Sequence, residues 1–336
     1  VMCDWEMPGM SGLHLINEMR EDISINRIPF CLMMDTVSKE KLMLAVEHGV
    51  DDMLVKPLKL GDIVPKIRNS FKVFHNKNNP EPVYELAKKA IREKDLDDAE
   101  RIFRELSIGS PNTARPLVGL SRVAWERKDH QTALNFLDEA QNNNDNYVHI
   151  FSYRGKILVE MGEIDKGLDS LKHAIRLSPL NPVRYQDCVD VLISQKLYED
   201  IPKVLEGAVK EGVQFPELFR YLSEAYYNLK DYKKAVRYIK SALNTDPNNT
   251  VFLNQLAVSL KEQGEHAEAQ KTYNRVIKID PQNLQALYNK ALLLSQTGQV
   301  PEAVKLLERI TIMFPEFENA PKKLSQLKIG GSQQAG

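Results

Sequence analysis

Cysteine is scarce in this chain of 336 residues, and its placement argues against two classes of small protein. Cys3, Cys31 and Cys188 lie in apolar runs. None of them belongs to a Cys-x-x-Cys pair or stands beside a histidine at metal-ligand spacing. The sequence therefore indicates neither a disulfide-stapled scaffold nor a zinc module. We expect three reduced, buried thiols in a cytoplasmic protein.

An excess of either charge is also lacking, since 45 lysines and arginines face 46 aspartates and glutamates. The net charge of −1 argues against a nucleic-acid-binding surface and against a polybasic membrane anchor. No apolar run approaches the ~18 residues of a membrane span, and the first residues do not have the pattern of a signal peptide. We therefore expect no nucleic-acid or membrane partner. Val1 is not an initiator methionine, so we expect residues to precede it in the natural protein.

The most prominent feature of the chain is a sequence pattern that repeats every 34 residues. Its length already predicts two domains or a long repeat array, because one domain usually takes ~100 to 200 residues. A mostly small residue recurs through seven units, and a large apolar residue follows it one helical turn later. The first column is Ala99, Ala133, Gly167, Ile201, Ala235, Ala269 and Ala303, and the second is Phe103, Leu137, Leu171, Leu205, Ile239, Tyr273 and Leu307.

Each unit also has a second, mostly small position earlier in its sequence, followed by a turn, and most units end at a residue that terminates the helix. Lys or Gly lies between the two small columns, where a short turn can join antiparallel helices. Proline ends five of the seven units, because it cannot continue a helix. The earlier small positions are Ala87, Ser121, Gly155, Val189, Ser223, Ala257 and Ala291, and the terminal prolines are Pro111, Pro179, Pro247, Pro281 and Pro315.

This pattern resembles the tetratricopeptide repeat, a helix pair of about 34 residues. The resemblance covers residues 80–317 and implies a mainly α protein, a right-handed superhelical solenoid of seven helix pairs. We expect a capping helix over 318–329, where apolar and charged residues mix, and a flexible tail over 330–336. The polar stretch 76–80 is expected to be a linker.

Strand-like and helix-like segments alternate in residues 1–75. The pattern predicts strands over 1–4, 29–34 and 52–55, and helices over 13–20, 38–48 and 60–74. Such alternation implies a parallel sheet with helices on its faces, and ligands bind at the carboxyl edge of such sheets. The signature elements near that edge are Asp4, Met7-Pro8, Gly12, Gly49 and Lys56-Pro57.

Through these elements the segment 1–75 resembles the receiver domain of two-component response regulators. The resemblance implies a partial flavodoxin-like α/β fold. Asp4 would accept a phosphoryl group from a sensor histidine kinase or phosphotransfer protein, and Lys56 would neutralise the phosphoryl charge. In a complete receiver, Mg²⁺ would bind the Asp4 carboxylate and the backbone carbonyl of Glu6.

Two switch positions depart from that family. Met34 stands where the family usually has the Ser or Thr that contacts the phosphoryl group, and Met53 where it often has an aromatic residue. Neither methionine can replace those hydrogen bonds. The acidic pair that completes the family's metal site is not found in this sequence. Two interpretations stay open: a phosphorylated receiver, and a degenerate receiver that serves as a docking or homodimer surface.

The repeat resemblance also implies a concave surface that binds a protein or peptide. Arg, Tyr and Trp on such a surface are residue types common at binding hot spots, although each alone could be an ordinary amphipathic residue. The family's groove-facing positions fall on Arg115, Arg122, Trp125, His149, Tyr153, Lys156, Arg220, Tyr221, Tyr227, Asn254, Lys261, Tyr288 and Asn289.

These observations favour a response regulator whose output is protein binding. The array offers no nucleophile, metal cluster or glycine-rich phosphate loop, so we expect no enzymatic activity. A constitutive scaffold with a degenerate receiver is the alternative.

Overall fold

The computed structural model describes residues 1–22, 25, 26, 28–74, 80–213, 215 and 217–333. These residues form three short strands and eighteen helices. The N-terminal α/β domain consists of β1 (Met2–Asp4), α1 (Gly12–Glu21), β2 (Cys31–Met34), α2 (Lys39–Glu47), β3 (Asp52–Val55) and α3 (Leu60–Phe74).

The three strands form a parallel sheet in the order β1-β2-β3. In the register of β1 and β2, Cys3 lies opposite Leu32. Ile16 of α1 and Phe30, which precedes β2, are fully buried in the core of this domain. Because the strands run in one direction, their carboxyl ends meet at a single edge.

The remaining helices follow one another in pairs, as the period predicts. Among the described residues, direct packing of the two helices on each other is seen in six of these pairs. The predicted mainly α fold with a small N-terminal parallel sheet is therefore confirmed. The helices are α4 (Glu81–Arg92), α5 (Leu96–Gly109), α6 (Ala114–Glu126), α7 (His130–Asn143), α8 (Val148–Glu160), α9 (Ile164–Leu177), α10 (Pro182–Ser194), α11 (Asp200–Lys210), α12 (Leu218–Asn228), α13 (Tyr232–Thr245), α14 (Thr250–Glu262), α15 (His266–Ile279), α16 (Leu284–Gln296), α17 (Val300–Met313) and α18 (Asn319–Gln333).

The turn inside each pair is set by two residues. Lys94 adopts a left-handed conformation, with φ of 63°, and its amide donates to the Ile91 carbonyl at 3.1 Å, which ends α4. The Asp95 side chain then accepts from the Asp98 amide at 3.1 Å and caps α5. Left-handed backbone recurs at the same place in other pairs, at Lys128, Gly162, Lys196, Lys230, Gly264 and Gly298.

The small columns are places where helices approach closely. A Cβ atom added to Gly155 of α8 would lie 2.6 Å from Leu171 Cγ. One added to Gly167 of α9 would lie 2.6 Å from Val159 Cγ2. Real contacts are longer, so a larger residue would push the helices apart.

Two compact units divide the chain, and the division falls within the fourth helix pair. One unit comprises residues 1–191 and 210–213, and it contains the α/β domain and the first three helix pairs. The other comprises residues 192–209 and 214–336. Each unit has its own buried apolar cluster, around Leu137 in the first and Tyr273 in the second.

The chain beyond the last pair differs in part from the prediction. Helix α18 runs to Gln333, beyond the predicted cap at 318–329 and into the predicted tail. Leu324 and Leu327 pack this helix against the last apolar cluster, which gives it a folded base from which to continue. Residues 334–336 of that tail lie outside the described residues, as do 75–79 around the predicted linker. Pro80 directly precedes α4.

A stability prediction follows from Ala235 of α13, which is fully buried in the small column. Ala235→Leu is expected to lower the free energy of unfolding by about 1 to 3 kcal/mol, because overpacking a helix contact forces strained rotamers or backbone shifts. Denaturant titration measures the change. Lys233→Leu, at an exposed position of the same helix, is the matched control. A midpoint for Ala235→Leu equal to that of the control would show that the column is not a contact.

Candidate functional site

The carboxyl edge of the sheet brings Asp4 and Lys56 together. Asp4 ends β1, and Lys56 follows β3. Lys56 Nζ lies 2.8 Å from Asp4 Oδ1, and each side chain keeps 37% of its surface exposed. The ion pair is therefore open to a small ligand arriving at the edge.

The charge of Lys56 is reinforced by its surroundings. Contact with Asp4 raises the pKa of Lys56 above its ordinary value, against partial desolvation, and the Asp35 carboxylate beyond β2 adds to the effect. A compact ammonium held at this edge is suited to balancing the charge of a phosphoryl group.

Gly12 explains how α1 can begin directly beside Asp4. A Cβ atom at this position would lie 2.4 Å from the Asp4 carbonyl oxygen and 2.5 Å from Leu32 Cδ2. A larger residue at this position would therefore push the start of α1 away from the end of β1. Ser11 caps α1 by accepting from the His14 amide at 3.2 Å.

The oxygen donors at this edge fit Mg²⁺. Asp4 Oδ1 is itself buried and lies beside the Lys56 ammonium. Mg²⁺ keeps several waters and commonly takes one or two protein carboxylates, so the Asp4 carboxylate is a ligand of the kind that this ion prefers. The described part of the chain has no cluster of three or more His, Cys, Asp or Glu side chains placed for a metal.

The two methionines at the switch positions belong to the domain core. Met34 ends β2 and is 2% exposed, and Met53 in β3 is partly buried against the same apolar cluster. At both switch positions the side chain therefore packs in the apolar core. Neither side chain offers a hydroxyl to the open edge.

In the second and third helix pairs, three predicted groove residues form one aromatic cluster. The rings of Trp125 and Tyr153 meet edge to face with centroids 5.9 Å apart, and His149 lies 6.4 Å from Tyr153. Trp125 and Tyr153 are only partly buried. Arg122, on the same helix as Trp125, is half-buried.

Two predicted cations of this surface already have acidic partners. Arg115 makes an ion pair with Glu81 of α4, with Nη2 and Oε2 2.9 Å apart, and stacks over Tyr84. Lys156 Nζ lies 2.8 Å from Asp187 Oδ1 on α10. These residues therefore link successive helix pairs, which the sequence alone did not reveal.

A separate cleft of about 260 Å³ lies in the second unit, and Arg220, Tyr227 and Asn254 line it. Asn254 is 4% exposed and donates to Asn283 Oδ1 at 3.0 Å. Tyr221 corrects one sequence expectation, since it is only 6% exposed and its ring packs in the core against Phe215.

Of the other predicted groove residues, Lys261 pairs with the neighbouring Glu262 at 2.8 Å. Tyr288 meets Phe317 edge to face at 5.0 Å. Asn289 is half-buried. Lys261 and Tyr288 therefore make local contacts and Asn289 is partly buried, and these three residues do not line the cleft described above.

Comparison with known families identifies both parts of the chain. The model of the response regulator receiver domain matches residues 1–68, and that of the tetratricopeptide repeat matches 227–292 and 260–326. Residues 1–68 therefore match a receiver domain, and residues 227–326 match tetratricopeptide repeats. Among curated proteins, the receiver is 34% identical over 70 residues to the two-component response regulator ARR5 of Arabidopsis thaliana, covering 21% of this chain and 38% of that protein.

The receiver is also 30% identical over 71 residues to chemotaxis protein CheY-3 of Vibrio cholerae, covering 21% of this chain and 55% of that protein. The match thus spans about half or less of each relative. Among solved structures, the C-terminal part of a TPR repeat-containing protein from Cytophaga hutchinsonii has a TM-score of 0.60 at 17% identity. It covers 72% of this chain and 99% of that one, and it shows the fold alone.

The sequence reasoning missed Arg184, which is buried at 6% exposure. A signal was present, because Arg184 occupies a repeat column that is otherwise apolar and mostly buried. The equivalent residues in the other units are Pro82, Pro116, Ile150, Leu218, Phe252 and Ala286. A charge in a core column requires a partner. That partner is Glu47 of the receiver, whose Oε2 lies 3.0 Å from Arg184 Nη2.

His149 is expected to make the stability of the first repeats depend on pH. Burial lowers the pKa of His149 to about 3, with a further contribution from the cations Arg184, Lys88, Arg115 and Lys156. The unfolded chain therefore binds a proton near pH 6.5 that the folded chain does not. The free energy of unfolding is therefore expected to be highest above that pH. Below it, this free energy should fall by up to about 1.4 kcal/mol per pH unit.

His149→Gln is expected to remove most of this dependence. Urea midpoints at about pH 7 and about pH 5 measure it, with His266→Gln at an exposed position as control. If His149→Gln lost as much stability on acidification as the wild type, another group would be responsible.

Proposed function

We propose that this protein is a two-component response regulator that receives a phosphoryl group on Asp4 and acts by binding another protein through its repeats. The observation that carries the proposal is the Asp4–Lys56 ion pair at the open edge of a receiver sheet. The receiver relatives support a phosphoryl donor of the histidine kinase or phosphotransfer class.

The chemistry follows from the groups at this edge. A carboxylate oxygen of Asp4 would attack the phosphorus of a phosphohistidine, so that a P–O bond forms and the P–N bond breaks. Bound Mg²⁺ would supply charge neutralisation to the phosphoryl oxygens. Lys56, already 2.8 Å from Asp4, would exchange its partner from carboxylate to phosphoryl oxygen.

The output is assigned to the repeats because their surfaces offer aromatic and arginine side chains, which are common at binding hot spots. The Trp125–Tyr153 cluster is the preferred contact region, and the cleft at Arg220, Tyr227 and Asn254 is the second. A homodimer through the receiver is compatible with this role. We propose no enzymatic activity, and no helix in the described part of the chain is long and apolar enough to span a membrane.

Fluorescence of Trp5, adjacent to Asp4, tests whether the edge takes Mg²⁺ and a phosphoryl group. Within the printed sequence, Trp125→Phe leaves Trp5 as the single tryptophan. Addition of Mg²⁺ and then beryllofluoride, a phosphoryl mimic, is expected to change its emission, and Asp4→Asn is expected to remove the second change. Unchanged emission in the folded protein would count against a functional receiver.

A constitutive scaffold with a degenerate receiver is the second candidate. The buried Met34 favours it, since no hydroxyl stands where the family usually contacts the phosphoryl group. Partner binding would then be the same with and without a phosphodonor.

A further inference from the structure

The receiver places a carboxylate inside the repeats. Glu47, the last residue of α2, accepts from Arg184 Nη2 at 3.0 Å and from Asn181 Nδ2. The Glu47 and Arg184 side chains keep only 5% and 7% of their surface. This contact, between residues 137 apart in sequence, is a buried ion pair rather than a surface one.

The repeat side of the contact is held in place without Glu47. Arg184 Nη1 donates to Ser152 Oγ of α8 at 3.0 Å. Asn181 Oδ1 accepts from the Val183 amide at 3.0 Å, at the start of α10. We call Ser152, Asn181 and Arg184 the Arg184 site. Because its donors are oriented by the repeats themselves, the site remains built for a carboxylate when the receiver moves away.

Glu47 fills this site incompletely. Its Oε1 atom and Arg184 Nε are both buried, and neither has a hydrogen-bond partner among the residues the structure describes. A carboxylate that approached Arg184 side-on could use both nitrogens in a bidentate contact. The internal ligand is therefore weaker than the best ligand the site could hold.

Charge around the site also favours an acidic ligand. His149, one turn before Ser152 on α8, lies in the field of Lys88, Arg115, Lys156 and Arg184. Lys156 and Arg115 are each balanced by one carboxylate, Asp187 and Glu81 respectively. Arg184 is balanced by Glu47 alone among the described residues, so a departing receiver leaves one buried positive charge to be satisfied.

We propose that the Arg184 site binds an acidic side chain of a partner peptide, and that Glu47 is a built-in competitor for it. Withdrawal of the receiver opens the site, and docking of the receiver closes it. The inference deepens the proposed protein-binding role of the repeats and rests on it. It does not depend on phosphorylation, since Glu47 can be removed by substitution.

The test measures binding of fluorescein-labelled hexaglutamate peptide to the full-length, unphosphorylated protein by anisotropy. Glu47→Gln is expected to bind about tenfold or more tightly than wild type, because a charged hydrogen-bond competitor has been weakened. Glu18→Gln, at an exposed position of α1, is the matched control and should bind like wild type. Adding Arg184→Gln to Glu47→Gln should abolish the gain, and labelled hexaglutamine should not distinguish the variants.

Circular dichroism checks that each variant is folded. Glu47→Asp is the second variant. It shortens the competing side chain by one methylene, so a smaller gain in hexaglutamate affinity is expected. Hexaglutamate binding by Glu47→Gln no tighter than wild type would overturn the proposal. So would a gain that survives Arg184→Gln. Failure of phosphoryl labelling at Asp4 would leave these comparisons unaffected, so the two proposals fail separately.

Discussion

Asp4→Asn is expected to reduce phosphoryl incorporation to background when the full-length protein is incubated with Mg²⁺ and a small-molecule phosphodonor. The amide lacks the carboxylate nucleophile, and asparagine at this position also removes the negative charge that holds Lys56 at the edge. Intact-protein mass spectrometry reads the added phosphoryl group directly.

Asp35→Asn is the matched control, because Asp35 is another carboxylate near Lys56 at the same edge. It should remain labelled, since Asp35 is not the proposed nucleophile. Lys56→Ala should be labelled more slowly than wild type, because the charge of the incoming phosphoryl group is no longer balanced. Equal labelling of wild type and Asp4→Asn would place the acceptor elsewhere, and no labelling of wild type would favour the scaffold alternative.

The second large effect is expected at Tyr273 of α15, which is fully buried in the second unit. Tyr273→Ala should lower the free energy of unfolding by about 3 to 5 kcal/mol, because it removes an aromatic ring and leaves a cavity. The Tyr273 hydroxyl is buried without a hydrogen-bond partner among the described residues. Burial accordingly raises the pKa of Tyr273 well above its ordinary value.

Tyr273→Phe is the informative companion, because it keeps the ring and removes only the unpaired hydroxyl. We expect it to be neutral or stabilising by about 1 kcal/mol. Urea denaturation of both variants measures the pair of effects. A clear loss of stability in Tyr273→Phe would mean that the hydroxyl is hydrogen-bonded in solution.

Local order in this chain could be predicted from sequence because it depends on short-range patterns. The third strand and third helix have the predicted bounds, Asp52–Val55 and Leu60–Phe74. Asp4 and Lys56 come together because parallel strands share a carboxyl edge, which is a property of the fold class.

Side-chain partners across elements could not be predicted in this way. Whether Tyr221 faces the core or the groove depends on the packing of Phe215, which lies in a loop without a repeat pattern. The Glu47–Arg184 contact depends on how two domains meet, and no periodicity carries that information. Arg184 was nonetheless visible as a charge in an apolar column, so the need for a partner was predictable even though its identity was not.

We expect phosphorylation of Asp4 to withdraw the receiver from the Arg184 site, which would join the two proposals. Amide hydrogen exchange with and without phosphodonor and Mg²⁺ tests it most directly, over α2 and over residues 181–187 at the start of α10. Exchange is expected to be faster in both segments once the wild type is phosphorylated, because Glu47 leaves Arg184, and to be unchanged in Asp4→Asn. Unchanged exchange in a wild-type protein that mass spectrometry shows to be phosphorylated would contradict it.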